Sequence, residues 1–360
     1  MEGTGLVLAG GGGKGIYQVG VIKSLAEAGL LNDITAVSGT SIGGVNAVLF
    51  AEGLMEGRKD FEKDLGDKAN EIPAKLELTA SLDRAVSQME EAWKEIDYNV
   101  FFNVDINSIQ AGDRHFSRNA TEKLIDKYLS YDLLKKNEDF YLPIYVAAAS
   151  CPPDVVTTDH ITQEEINILL TASVEETYKN YQIEYMNLID QDQDYIKNAI
   201  LATTALPVIY NPVKIGEKLY VDGGAKDNIP IKPLYDLGIR RFIVIELSVK
   251  SEIQDIEQFA DAEIIDILPS HELGSLISGT LNFDREDIEI KKQIGIRDGK
   301  RYVKTLFEKN DVYISIEKEL ALRDYNDILK QHSFTQKYNM LDESISSRFD
   351  YIKNIEDKYS

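Results

Sequence analysis

The run Val37-Ser38-Gly39-Thr40-Ser41-Ile42-Gly43-Gly44 constrains this 360-residue chain more than any other stretch. It has the form Gly-x-Ser-x-Gly, follows a short apolar run (Ile34, Ala36, Val37) and leads into one of helical spacing (Val45, Val48, Leu49). Strand, tight turn and helix in that order are what a nucleophile elbow requires: the serine sits at the apex of a strained turn with its hydroxyl above the sheet. Gly39 and Gly43 are then the positions where strand and helix nearly touch and a Cβ would collide. A helix starting at Ile42 puts its positive dipole end beneath charge developing at Ser41. Alone the pattern is weak, because Gly and Ser are common; its value depends on partners elsewhere in the chain.

The preceding residues supply the first partner. Residues 5–9 (GLVLA) form a wholly apolar run that reads as a buried parallel strand, and Gly10 to Gly13, Lys14 and Gly15 form a glycine loop. From Ile16 the spacing turns helical (Ile16, Val19, Ile22, Leu25, Ala26), with Gly29 as the stop. Strand, helix and the strand at 34–37 make a right-handed βαβ unit with parallel, neighbouring strands. Strands lie about 5 Å apart, so the glycine loop and Ser41 are expected side by side at the carboxyl edge of the sheet. The second partner lies far along the chain. Residues 218–221 read as a short strand ending in Asp222-Gly223-Gly224, and residues 241–247 (RFIVIEL) as a buried strand.

Between these landmarks, residues 55–140 are charged and helix-prone, with aromatics at Trp93, Tyr98, Phe101 and Phe102. The stretch around Asn99 to Val104 reads as insertion core or as a lid that docks on a membrane. Residues 141–149 read as a central strand, 152–159 as a turn and a further strand, and 160–197 as polar and helical. Residues 198–207 (NAILATTALP) read as a helix stopped by proline. Beyond Ser251 charged and aliphatic residues alternate, and from about Glu317 the pattern is mainly helical.

A serine nucleophile needs a proton acceptor and donors for an oxyanion. Asp222 is the candidate acceptor, and the backbone N–H groups of Gly11, Gly12 and Gly13 are the candidate donors. The set resembles the patatin-like phospholipase family. Gly10-Gly11-Gly12-Gly13-Lys14-Gly15 is similar to its oxyanion loop, Gly39-Thr40-Ser41-Ile42-Gly43 to its elbow, and Asp222-Gly223-Gly224 to its aspartate motif. Residues 202–207 (ATTALP) and Asp227-Asn228-Ile229-Pro230 extend the likeness, which covers residues 5–50 and about 198–250. The resemblance implies a three-layer α/β/α fold with a mostly parallel central sheet, and hydrolysis of lipid acyl esters by a Ser41–Asp222 dyad through an acyl-enzyme. It implies no metal or organic cofactor, a phospholipid or other acyl lipid as substrate, and transient contact with a membrane surface. Lys14 is expected to steady the glycine loop. The expected organisation is a catalytic domain over 1–250, with a helical insertion at about 55–140, and a helical C-terminal extension over 251–360.

Other readings of the same residues compete. A Ser–Asp–His triad would draw on His271 or His332, but Ser41 follows only the second strand, and His115, His160, His271 and His332 all lack a glycine-rich loop after a strand. Gly10-x-Gly12-x-x-Gly15 also fits a dinucleotide fingerprint with Asp33 as its acidic residue, although Asp33 precedes its strand. A lipid-binding protein without catalysis is a third. A phosphate loop is excluded because Lys14 is followed by glycine, not Ser or Thr.

Composition adds limits. A net charge of −22 argues against nucleic acid and against simple adsorption to anionic membranes. One cysteine, Cys151, rules out an internal disulfide framework. The N-terminal sequence has no signal-peptide pattern and no apolar run reaches membrane-spanning length, so a cytoplasmic protein is expected.

Overall fold

The computed structural model describes residues 3–65, 74–97, 118–135, 142–152, 178–207 and 209–308. The aromatics at 98, 101 and 102, the 99–104 stretch, His115, His160, His332 and the helical pattern after Glu317 lie outside the described residues, as do residues 153–177.

The N-terminal βαβ unit forms as its periodicity dictates. Strand β1 (Thr4–Leu8) is buried along its length, helix α1 (Ile16–Glu27) follows, and β2 (Ile34–Thr40) pairs parallel with β1, Leu8 opposite Gly39. Gly29, at φ +72°, ends the α1 region in a left-handed conformation that glycine adopts without penalty. Helix α2 (Ile42–Leu65) leaves β2 after one residue, and α3 (Ala74–Glu95) and α4 (Asn119–Tyr128) lie in the helix-prone region.

Strand β3 (Ile144–Ser150) extends the sheet beyond β2, again parallel. Residues 182–187 depart from the expected polar helix: they form strand β4 (Gln182–Asn187), antiparallel to β3. The sequence QIEYMN is half-exposed and carries no strong alternation, so its strand character comes from backbone pairing with β3 and not from its side chains. Helix α5 (Gln193–Thr203) starts earlier than expected, capped by Asp192, whose side chain accepts from Tyr195 N at 2.7 Å. A hairpin of β5 (Val213–Ile215) and β6 (Lys218–Asp222) follows, then short helix α6 (Lys232–Asp236) and β7 (Arg241–Ile245), which pairs parallel with β1 on its other side. Strand β8 (Glu263–Ile267) pairs parallel with β7, so the sheet continues past residue 250. A π-helical turn (Leu276–Thr280) and helix α7 (Arg285–Glu308) complete the described chain.

The strand path is β5-β6-β3-β2-β1-β7-β8, with β4 also on β3. Alternate residues of β1 face opposite layers. Leu6 and Leu8 join a core with α1, α2, α3, α5 and α7, while Val7 and Ala9 join a smaller one with Leu234 of α6, Phe242 and Phe259. Each such buried aliphatic or aromatic side chain contributes about 1.5–3 kcal/mol. This is a mixed, mostly parallel sheet between two helical layers. Among the described residues, no helix is long and apolar enough to cross a membrane.

Candidate active site

Ser41 is the single residue between β2 and α2, and its φ of 54° lies in the left-handed region that non-glycine residues avoid. Such a conformation costs on the order of 1–3 kcal/mol and persists only where its surroundings enforce it. They do so through close packing and one hydroxyl. A Cβ on Gly39 would lie 2.2 Å from the Gly43 carbonyl oxygen, and one on Gly43 would lie 2.2 Å from that of Leu8. Thr203, at the end of α5, accepts from Ser41 N at 2.9 Å and donates to the Ala147 carbonyl at 2.6 Å. The turn is thereby fastened to β3 and α5 together.

Asp222 reaches Ser41 by a route that strand order alone does not suggest. β3 pairs with β2 through residues 144–147 and with β6 through residues 148–150, while β4 covers 145–150. Because β4 overlaps both, β2 and β6 must share the opposite edge of β3, end to end. β2 stops at Thr40, level with Ala147, and β6 arrives antiparallel with Asp222 level with Ala148. The two chains meet head-on where Ser41 turns away. Asp222 is therefore at the carboxyl edge of the parallel strands although its own strand runs the other way.

The Asp222 side chain is buried (3 % exposed). It accepts a hydrogen bond from Gly224 N at 2.8 Å, its own N–H donates to Ala205 O at 2.9 Å, and the neighbouring Ser41 side chain favours its charged form. Burial pushes its carboxyl up from 3.8 to about 6, against the pull of the neighbouring Ser41 side chain, the Gly224 N–H and the Arg118 charge. A carboxylate with that affinity for a proton is a stronger base than an exposed one.

The glycine loop lies beside the elbow, as neighbouring parallel strands require. Gly10 exchanges two bonds with Asn228: its N–H donates to Asn228 O (3.2 Å) and its carbonyl accepts from Asn228 Nδ2 (3.3 Å). Gly12 has φ +54°, and a Cβ there would sit 2.0 Å from the Thr280 carbonyl oxygen. Gly13 is pressed as closely on the Asn282 carbonyl. The π-helical turn and the residues after it thus pack directly on the loop. Lys14 is half-buried, and its ammonium pKa is lowered by burial and by the neighbouring Lys291 charge, against the pull of Glu252 and Glu272.

These pieces line one cavity of about 430 Å³, within the size range of small-molecule sites. Of the residues singled out in the sequence, Gly10, Gly11, Gly12, Ser41, Asp222 and Gly224 reach its wall; Gly13, Lys14, Gly15, Gly39, Gly43 and Gly223 stand behind it. Sequence reasoning missed the rest of the wall. Leu206, Ile209 and Tyr210 follow α5, Asn228 and Glu252 flank the glycine loop, and Thr280, Leu281 and Phe283 close the far side. Asn228 and Leu206 alone among these carried a signal, in the motif after Asp222 and in the run 202–207 (ATTALP). His271 is not among the lining residues; its Nδ1 is 2.9 Å from the Ser270 hydroxyl. Asp33 accepts from Thr4 Oγ1 at 2.7 Å, at the amino end of β1 and so at the opposite edge from the glycine loop. That removes it as a ribose ligand in a dinucleotide site.

A family model described as patatin-like phospholipase matches residues 6–235. The lysophospholipase NTE1 of Cryptococcus neoformans var. neoformans serotype D is 24% identical over 243 residues, 68% of this chain and 11% of that protein. An uncharacterized NTE family protein of Mycobacterium bovis is 25% identical over 226 residues, 63% of this chain and 27% of the relative. The chain therefore spans about a tenth and about a quarter of these relatives' lengths. Among solved structures, VipD from Legionella pneumophila aligns with a TM-score of 0.40 at 14% identity, over 96% of this chain and 80% of that one. The family match takes in the end of β1, the glycine loop, the elbow, Asp222 and every strand from β2 to β6, and on it the chain belongs to the patatin-like phospholipase family.

Proposed function

We propose that the protein is a serine hydrolase of lipid acyl esters, of the phospholipase A or lysophospholipase type, working through a Ser41–Asp222 dyad. The meeting of Ser41 and the buried Asp222 carboxylate at the wall of one cavity, where β2 and β6 end level with adjacent residues of β3, carries this reading. Ser41 Oγ attacks the ester carbonyl carbon as its proton passes to Asp222, forming a tetrahedral oxyanion. Backbone N–H groups of Gly11 and Gly12, the expected donors that reach the cavity wall, stabilise that charge, a contribution of about 3 kcal/mol per donor, while Gly13 packs behind them on the Asn282 carbonyl. The ester C–O bond breaks, Asp222 returns the proton to the leaving alcohol, and an acyl-enzyme remains. Water then attacks, its proton going to Asp222 and from there to Ser41 as the fatty acid leaves.

The apolar side chains of Leu206, Ile209, Leu281 and Phe283 suit an acyl chain. The substrate is a phospholipid or other acyl lipid presented at a membrane surface, met transiently by a cytoplasmic protein. Hydrolysis of a medium-chain chromogenic ester tests the reading. Ser41→Ala and Asp222→Asn, each folded, are expected to lose at least 10³-fold in kcat. Activity that survives Ser41→Ala would sink the assignment.

A further inference from the structure

Behind the glycine loop lies a buried polar network that the dyad does not use. Asn46, on α2 five residues after Ser41, is fully buried. Its Nδ2 donates to the Gly15 carbonyl (2.9 Å) and to Gln18 Oε1 (2.9 Å). Its Oδ1 accepts from Trp93 Nε1 at 2.8 Å. Gln18, also fully buried, spends both its amide hydrogens on the carbonyls of Ala9 (2.8 Å) and Ile245 (3.2 Å).

Ala9 opens the glycine loop and Gly15 closes it, so the two amides grip the loop at both ends. The indole N–H of Trp93 is a donor only, which fixes which way the Asn46 amide points. Reversed, that amide would set its NH₂ against the indole N–H and its oxygen against the Gly15 carbonyl. Trp93 also packs against the loop itself, since a Cβ on Gly15 would meet its Cζ2 at 3.1 Å. The helix that carries Trp93 is held from outside: Glu90 pairs with Lys23 of α1 (3.1 Å) and Lys292 of α7 (2.8 Å), and Arg285 donates to the Trp93 carbonyl (3.4 Å).

We infer that Asn46 is a positioning residue that sets the glycine loop's distance from Ser41, and that Trp93 of the insertion helix α3 holds the Asn46 amide in the orientation this requires. The inference rests on the hydrolase reading. A fully satisfied buried network specifies one geometry, and an oxyanion hole is worth its full effect only when its donors are fixed before the reaction. A displacement of about 1 Å costs up to 10²-fold in rate. Asn46 therefore acts on the transition state and not on substrate affinity.

The test compares kcat and KM on a soluble medium-chain ester for wild type, Asn46→Leu and Trp93→Phe, with folding followed by circular dichroism and thermal melting. Trp93→Phe keeps the packed ring and deletes only the donor. The expected result is a fall in kcat of tenfold or more for Asn46→Leu and about three- to tenfold for Trp93→Phe, with KM within twofold. A purely structural role would lower the melting temperature and leave kcat of the folded enzyme unchanged. Trp93 is the chain's single tryptophan, so its emission should also shift when an alkyl fluorophosphonate modifies Ser41 in wild type. Folded variants with wild-type kcat in an active enzyme would overturn the inference alone. A wild type inert toward esters and fluorophosphonate would overturn the hydrolase reading and this inference with it. Should Asn46→Leu not fold, Trp93→Phe and the emission response decide.

Discussion

At the scale of the residue, the chemistry turns on one carboxyl and one backbone angle. Asp222 has a folded pKa of about 6, above its ordinary 3.8, because burial favours the neutral form. The native state therefore keeps this proton longer than the unfolded chain does. The stability it contributes is fully present below about pH 4 and is lost as pH rises through about 6. In the proposed dyad, activity has the opposite sign, because Asp222 must be ionised to accept the Ser41 proton. The kcat/KM for a soluble ester is expected to rise tenfold per pH unit below about 6 and to level off above it. A pH–rate profile flat between pH 5 and 7 would contradict this assignment of the base. The strained φ of Ser41 belongs to the same trade, since the turn gives up local stability to lift the hydroxyl to the cavity wall.

At the scale of the element, α2 begins directly after Ser41 and carries a buried acid in its middle. Glu52 is 1 % exposed, and its Oε1 accepts from Ser130 N at 2.6 Å. Burial raises its pKa to about 8, with the Ser130 N–H opposing and the Glu56 charge assisting. By the same sign rule, its stabilising effect is complete below about pH 4.5 and is lost as pH climbs through 8. Each pH unit in that window costs the wild type ~1.4 kcal/mol, or ~2–4 °C in Tm. Glu52→Gln keeps the acceptor for Ser130 and removes the titration. The variant should match wild type near pH 5 and melt several degrees higher at pH 8.5, as calorimetry at the two pH values would read. A difference that does not grow with pH would mean Glu52 is ionised at neutral pH.

At the scale of the whole molecule, the described residues after 250 are built into the same layers as those before it. β8 covers the edge of β7, and Thr280, Leu281 and Phe283 wall the cavity. Helix α7 lies against α1 so closely that a Cβ on Gly20 would be 2.3 Å from the Lys292 carbonyl oxygen. Tyr17 donates to Asp298 (3.2 Å), and Ser24 donates to the Ile296 carbonyl (2.8 Å). A chain ending at residue 250 would expose the β7 edge and the face of α1, a template for aggregation. It is expected to give little soluble protein and no esterase activity. A soluble, active 1–250 fragment would show that the later segments are dispensable.

The first fifty residues are legible because the signals that mark their elements are local. Apolar runs, helical spacing and the glycines of the loop and elbow act within about ten residues of one another, and a βαβ unit admits one handedness. These signals alone establish the parallel sheet, the loop beside the elbow, and Ser41 as the candidate nucleophile. The glycines that follow Asp222 mark it as well. How Asp222 arrives is set by long-range pairing, because β6 runs antiparallel and shares an edge of β3 with β2, which no local pattern encodes. The same holds for Gln182–Asn187, a strand only because β3 offers it backbone partners, and for Asn46 and Trp93, 47 residues apart and joined by one hydrogen bond. Local propensity specifies elements within a few turns of chain, whereas the walls of this cavity come from long-range pairings whose partners exist only once the sheet has closed around them.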